Sequence, residues 1–403
     1  MRALILAALL LTAAASPRAR DLGVPFEGTP GPLNAITDVA GVEVGHATIV
    51  RGAGRLVPGK GPVRTGLTAV LPRGRASTTP VFGAWFTLNA AGEMTGTTWL
   101  EERGLLDGPI LITNPHSVGV VRDAAVKWMV RQGWPALWNV PVAAETYDGV
   151  LNDINGFHVK EAHALAALDG ARGGPVTEGA VGGGTGMICN GWKGGIGTAS
   201  RVLPASLGGY KVGVLVQCNY GNRAGLRIGA APVGVDLKDV DPICYARPAA
   251  NGEKRRWGFA DCAAAAGGPE PKRPDGSIIV VVATDAPLLP HQLKRLAKRP
   301  SLGLGRLGSV ASEGSGDIFI AFSTANPGLR SVDEDRSPKP VAMYPNDWLT
   351  PLFDATVQAT EEAIVNAMVA AETMEGADGV RVPRLPHTAL KEALAKHGRL
   401  ERR

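Results

Sequence analysis

A chain of 403 residues with 45% hydrophobic and 20% charged side chains can bury a substantial core, which excludes a disordered or collagen-like polymer. The net charge of +5 arises from 42 basic and 37 acidic residues that are interspersed, not gathered in a stripe, so a nucleic-acid role is disfavoured. The 53 glycines and 30 prolines show no fixed period and indicate many tight turns between ordinary strands and helices.

The chain opens with MRALILAALLLTAAASPRA: a single Arg2, an apolar run from Ala3 to Ala15, then small residues that suit cleavage after Ala15 or Ala19. The run is shorter than the roughly 20 apolar residues of a membrane-spanning helix. Residues 1–19 therefore read as a secretory signal, and the mature protein is expected to be exported, periplasmic or secreted, and free of the membrane. Four cysteines are too few for a disulfide framework in a chain this long. Cys189 and Cys218, in apolar segments, read as core thiols; Cys244 and Cys262 flank a loop, and the sequence leaves their pairing open.

Apolar runs from Gly66 to Leu71, Val81 to Leu88 and Pro109 to Thr113 predict buried strands. From Ser117 to Gln132, Val118, Val121, Ala125 and Met129 recur at helical spacing, so one face of a helix should pack on that sheet. Lys211 to Gln217 gives another strand. Tyr245 to Gly276, rich in Ala, Gly, Pro and charge, reads as an exposed loop. At Ser277 the chain switches to SIIVVVATDA, in which Ile278 to Val282 are all β-branched, the strongest strand signal present. A helix around Gln292 to Lys298 and a strand from Asp317 to Phe322 follow. The last long helix should run from about Pro351 to Met374, with Thr350 as cap, Pro351 as first helical residue, and Phe353, Val357, Ile364, Met368 and Ala371 on one face. Each side of the loop offers few strands, so the expected architecture is one α/β domain, an αββα layered sandwich over residues 20–403.

Familiar chemical motifs are missing. There is no GxGxxG after a strand, no P-loop, no GxSxG and no HExxH, and the seven histidines lack metal-ligand spacing. No metal or cofactor is implied. His116 precedes a helix and reads as a hydrogen-bonding turn residue or a functional one. The segment Gly182 to Arg201, GGGTGMICNGWKGGIGTASR, permits close backbone approach. Its second glycine group, Gly194, Gly195 and Gly197, interrupts the helix that a phosphate cradle requires, so it reads as a backbone-lined wall beside a pocket.

The junction Asp275-Gly276-Ser277 places a hydroxyl where a loop meets a buried strand, an arrangement suited to an N-terminal nucleophile. Ser277 can attack the carbonyl before it, and Gly276 offers no Cβ in the way. Cleavage frees an α-amine whose reference pKa of about 7.7 to 8.0 suits a base near neutrality. Gly-Ser before a strand is also an everyday turn.

Several blocks occur in order: ITDVAGVEVGHATI at Ile36 to Ile49, GEMTG at Gly92 to Gly96, AETYDGVLNDINGFHV at Ala144 to Val159, GGIGTASR at Gly194 to Arg201, and DGSIIVVVATDAPLLPHQLKRLA at Asp275 to Ala297. Through them the chain resembles the DmpA-type L-aminopeptidase/D-esterase and β-aminopeptidase family, peptidase family S58, over nearly all of the mature chain. The resemblance implies an N-terminal-nucleophile fold of the DmpA and ornithine acetyltransferase type. It implies self-cleavage after Gly276 into residues 20–276 and 277–403, with Ser277 as nucleophile. It implies support from Ser315 and Asp317 of GSGDI, where β-aminopeptidases carry Glu in place of Asp317. Asn219 matches the oxyanion-hole amide, and Glu145 and Tyr147 match the residues that hold the substrate's free amine. The expected activity is removal of N-terminal aminoacyl residues from short peptides, amino-acid amides or esters, without cofactor, by a tetramer of cleaved heterodimers. The alternatives are an amidase or acyltransferase of the same fold, whose ornithine acetyltransferase members use threonine, and a periplasmic binding protein that has lost the chemistry.

Overall fold

The computed structural model describes residues 17–135, 138–249, 254–265, 276–329 and 337–401. Asp275, parts of the loop before it and most of the expected signal lie outside the described residues. The strands that build the core are β1 Glu43–Arg51, β2 Val63–Leu71, β3 Val81–Ala90, β4 Ile110–Thr113, β5 Val142–Glu145, β6 Gly195–Val202, β7 Lys211–Asn219, β8 Ser277–Thr284 and β9 Gly316–Ser323. The helices that cover them are α1 Val118–Arg131, α2 Glu161–Asp169, α3 Pro290–Ala297, α4 Pro300–Arg306 and α5 Thr350–Val369.

Two sheets result. One has the order β1-β2-β4-β5; the other runs from a short Leu105–Leu106 edge through β3-β9-β8-β7 to β6. β8 is parallel to β9 and antiparallel to β7. Strands from before and after residues 245–276 thus interleave in one sheet.

The period of two along β8 explains the layering. Ile279, Val281 and Ala283 point toward the first sheet and meet Val70, Ile110, Ile112 and Val142. Ile278, Val280 and Val282 point the other way, to Leu293, Leu296, Leu304, Ile364 and Met368 of α3, α4 and α5. Each such side chain contributes about 1.5–3 kcal/mol when fully buried. On the outside of the first sheet, Val121, Ala125, Trp128 and Met129 of α1, with Ala164 and Leu168 of α2, cover Leu67, Ala69, Leu111 and Ala143. The layers are therefore αββα. A strand buried on both faces reads as a continuous apolar run, which is why β8 is so visible in the sequence.

The structure corrects several local expectations. Gly194 leads into β6 and Gly195 and Gly197 open it, beneath α5. A Cβ added to Gly197 would fall 1.9 Å from the carbonyl oxygen of Ala363, so the helix reaches the sheet because no side chain stands between them. α5 begins at Thr350, after Leu349, and ends at Val369 instead of Met374. Thr350 is its first residue, not a side-chain cap, and Ala371 is buried beyond its end. Cys189 and Cys218 are fully buried, but they are not free thiols: a disulfide joins them, with Cα atoms 5.6 Å apart. Cys244 and Cys262, left open by the sequence, are joined as well, at 4.9 Å. Both Cα distances suit a bridge.

Candidate active site

Ser277 opens β8 between Asn219, the last residue of β7, and Gly316, the first of β9. Directly paired residues on antiparallel strands project to the same face, with Cβ atoms about 4.5–5.5 Å apart. The Asn219 carboxamide and the Ser277 hydroxyl therefore share one face, continuous with Ile279 and Val281, at the end of the gap between the sheets. Both residues are buried, at 5% and 4% exposure. Gly276 is pressed against the end of β7: a Cβ there would lie 1.5 Å from the Asn219 carbonyl oxygen. Backbone alone excludes any side chain at this position.

The Asn219 side chain is held at both ends. Its Oδ1 accepts the Ile188 N–H at 2.7 Å, and its Nδ2 donates to the Tyr147 carbonyl at 2.9 Å. A carboxamide nitrogen carries two N–H donors, so one remains after the Tyr147 bond. On the other side of Ser277, the Ser315 hydroxyl donates to Asp317 Oδ1 at 2.7 Å. Asp317, one carbon shorter than a glutamate, reaches Ser315 without difficulty. Burial pushes its carboxyl up to about 6, with the Ser315 bond acting against the shift. Asp317 Oδ2 is buried and finds no hydrogen-bond partner among the described residues. Asn89 donates to the Ser312 and Glu313 carbonyls and fastens the turn that presents Ser315.

Glu145 comes from the other sheet, as the last residue of β5. Its Oε1 accepts the Glu93 N–H at 3.0 Å. Burial pushes its carboxyl up to about 7 against that bond, and the charges of Glu93 and Asp148 push the same way. The turn at Gly92 links it to the β9 end of the site: a Cβ on Gly92 would stand 3.0 Å from Glu145 Oε1 and 3.4 Å from Gly316 Cα. Tyr147 enters through its carbonyl, which receives Asn219; its ring packs with the cluster of Val150, Tyr245, Phe259 and Val380, and burial raises its phenol.

Adjacent strand ends thus carry Gly276, Ser277, Asn219, Ser315 and Asp317, with Asp317 in register with Ile278, and the Gly92 turn spans from Gly316 to Glu145. His116 instead stacks on Phe157, ring centroids 5.6 Å apart. Two contributors escape sequence reading: the Glu93 backbone on Glu145, and the Ile188 N–H on Asn219. Backbone groups carry no residue-type signal, although Glu93 does lie inside the GEMTG block. Chemically, the cluster offers a hydroxyl at a strand start, an oriented amide donor beside it, a hydroxyl–carboxyl pair, and a buried carboxyl that gains from a cationic neighbour.

A model of peptidase family S58 matches residues 34–382. The chain is 58% identical over 399 residues to the beta-peptidyl aminopeptidase BapA of Sphingosinicella microcystinivorans, covering 98% of this chain and 97% of the relative. It is 46% identical over 395 residues to the BapA of Sphingosinicella xenopeptidilytica, covering 97% and 94%. Among solved structures, a Burkholderia sp. beta-aminopeptidase superposes with a TM-score of 0.81 at 46% identity, covering 95% of this chain and 99% of that one. The L-aminopeptidase D-Ala-esterase/amidase of Ochrobactrum anthropi, described as a prototype serine aminopeptidase and a variant among the Ntn hydrolase fold, does so with a TM-score of 0.81 at 45% identity, covering 95% and 99%. Agreement over nearly the full length, in sequence and in fold, means that this chain belongs to peptidase family S58 and is a serine aminopeptidase.

Proposed function

We propose that the chain is exported, cleaves itself between Gly276 and Ser277, and then removes N-terminal β-aminoacyl residues from short peptides, amides or esters. The observation that carries this reading is the register of Asn219 opposite Ser277, with the Ser315–Asp317 pair on the strand at its other side. In processing, Ser277 Oγ adds to the Gly276 carbonyl carbon and the C–N bond breaks, leaving an ester. Water hydrolyses the ester to a Gly276 carboxylate and a Ser277 with free hydroxyl and α-amine. That amine then takes the hydroxyl proton as Oγ attacks a substrate carbonyl and passes it to the leaving amine, and water, deprotonated by the same α-amine, hydrolyses the resulting acyl ester, which releases the aminoacyl group as a free acid and returns the proton to Ser277 Oγ. The free N–H of Asn219 stabilises the oxyanion in each addition. Ionised Glu145 pairs with the substrate's ammonium, which selects unblocked N-termini. The names of the relatives support the β-aminoacyl preference.

Export is supported by the signal-like start, and the packing of residues 18–20 favours the earlier cleavage site. Arg18 pairs with Glu178 at 2.8 Å, and the Ala19 N–H donates to Asn366 in α5 at 3.0 Å. Cleavage after Ala19 would discard both anchors, whereas cleavage after Ala15 keeps them.

The test is a set of four p-nitroanilides: β-aminoacyl and α-aminoacyl, each free or N-acetylated. The free β-aminoacyl compound should be the best substrate, and acetylation should slow it by at least about tenfold, through loss of a charge-assisted contact. Equal rates on acetylated and free compounds would remove Glu145 from amine recognition. Faster turnover of the α-aminoacyl compound would overturn the β preference.

A further inference from the structure

Lys193 lies fully buried inside the glycine-rich segment, just before β6. Its Nζ donates to the carbonyls of Met187 and Gly194, both at 2.8 Å, with Gly184 at 3.4 Å. An ammonium has three donors and no acceptor. Three carbonyls around one nitrogen therefore match the charged form, while burial acts the other way and pulls its pKa down to about 7. Among the described residues no carboxylate partners the Nζ, an expensive arrangement for a lysine that serves only to pack.

The Met187 carbonyl and the Ile188 N–H belong to a single peptide group. The carbonyl accepts from Lys193 Nζ at 2.8 Å and from the Gly194 N–H at 2.9 Å. The N–H donates to Asn219 Oδ1 at 2.7 Å. A positive charge on the carbonyl end makes the N–H end a stronger donor. Drawing electron density from Asn219 Oδ1 then makes the Asn219 NH₂ a stronger donor in its turn, because hydrogen bonds in series polarise one another in a low dielectric.

We propose that Lys193 is a positioning residue for catalysis: through the Met187–Ile188 peptide group it orients and polarises the Asn219 carboxamide that faces Ser277. The inference rests on Asn219 being the oxyanion donor, and the glycines around it serve to bring carbonyls, not side chains, to the ammonium. Gly184, for instance, has no room for a Cβ, which would lie 2.5 Å from the Ile196 nitrogen.

The test is a double-mutant cycle on kcat, KM and the thermal midpoint, with rates normalised to processed chain: Lys193→Met, Asn219→Ala and the pair. Lys193→Met should lower kcat about tenfold with KM changed less than about twofold, and in the Asn219→Ala background the same change should cost less than about twofold. Equal fold-losses in both backgrounds, or an undiminished kcat in Lys193→Met, would overturn the proposal while leaving the oxyanion role of Asn219 standing. An undiminished kcat in Asn219→Ala would instead remove that role itself. Lys193→Gln, which keeps two donors without charge, is the second variant should the methionine fail to fold, and should show the same dependence on Asn219. Loss of folded protein with both replacements assigns Lys193 to stability alone and also overturns the proposal.

Discussion

At the scale of single residues, the site works by burying carboxyls until their charge becomes conditional. Glu145 has its carboxyl pushed up to about 7, mainly by burial. A raised carboxyl pKa means that the ionised form, the one that pairs with an ammonium, is lost as pH falls through that value. kcat/KM reports the free enzyme, so for free-amine substrates it should rise with pH through a limb near 7 and a second one at the Ser277 α-amine, whose reference value is about 7.7 to 8.0, and Glu145→Gln should remove the lower limb and lower the plateau. A pH–rate profile checks this, and an unchanged lower limb in the variant would assign it elsewhere. Ser277 and Gly276 are legible in the sequence because a loop gives way to an unbroken β-branched run at that point. Glu145 is not legible by the same means: its place near the start of β9 depends on the stacking of two sheets and on a turn at Gly92. Lys193 leaves only a faint trace, one charge amid glycines in GWKGG, and its role depends on a peptide group that no residue type marks.

At the scale of elements, β7, β8 and β9 are set by pattern, but β6 and the N-terminal strap are set by fit. β6 offers two glycines, Gly195 and Gly197, near its start where a strand normally offers side chains, so propensity argues against it, and the close approach of α5 explains it. Gly197→Ala should push α5 outward and destabilise the protein by about 1–3 kcal/mol, read as a lower thermal midpoint with the rest of the fold intact by circular dichroism. The strap ties the end of that layer. Arg20 and Arg201 both pair with fully buried Glu362, each at 2.8 Å, and Arg18 reaches Glu178. A chain beginning at Arg20 keeps the first two pairs and leaves Glu178 without its arginine. It should be less stable by about 3 kcal/mol than one beginning at Ser16, and N-terminal sequencing of exported protein should read Ser16. Equal midpoints for the two truncations would deny the strap a role. β1 and the four-residue β5 are hard to see in sequence for the opposite reason: one is half exposed and polar, the other too short to show a period.

At the scale of the whole molecule, the αββα order follows from one fact, that β8 is apolar on both faces and needs a sheet on one side and helices on the other. That same burial fixes the consequence of self-cleavage. β8 bonds to β7 on one side and β9 on the other, so a break at Gly276 removes one covalent link and none of the ladder. The two pieces should stay together. Intact-mass analysis with N-terminal sequencing, run on the parent protein and on Ser277→Ala, tests this account most directly. The parent should give two co-purifying chains, one ending at Gly276 and one beginning at Ser277, with aminopeptidase activity. Ser277→Ala should give one uncleaved, inactive chain, and a fragment beginning at residue 277 from that variant, or full activity in an uncleaved parent, would contradict it.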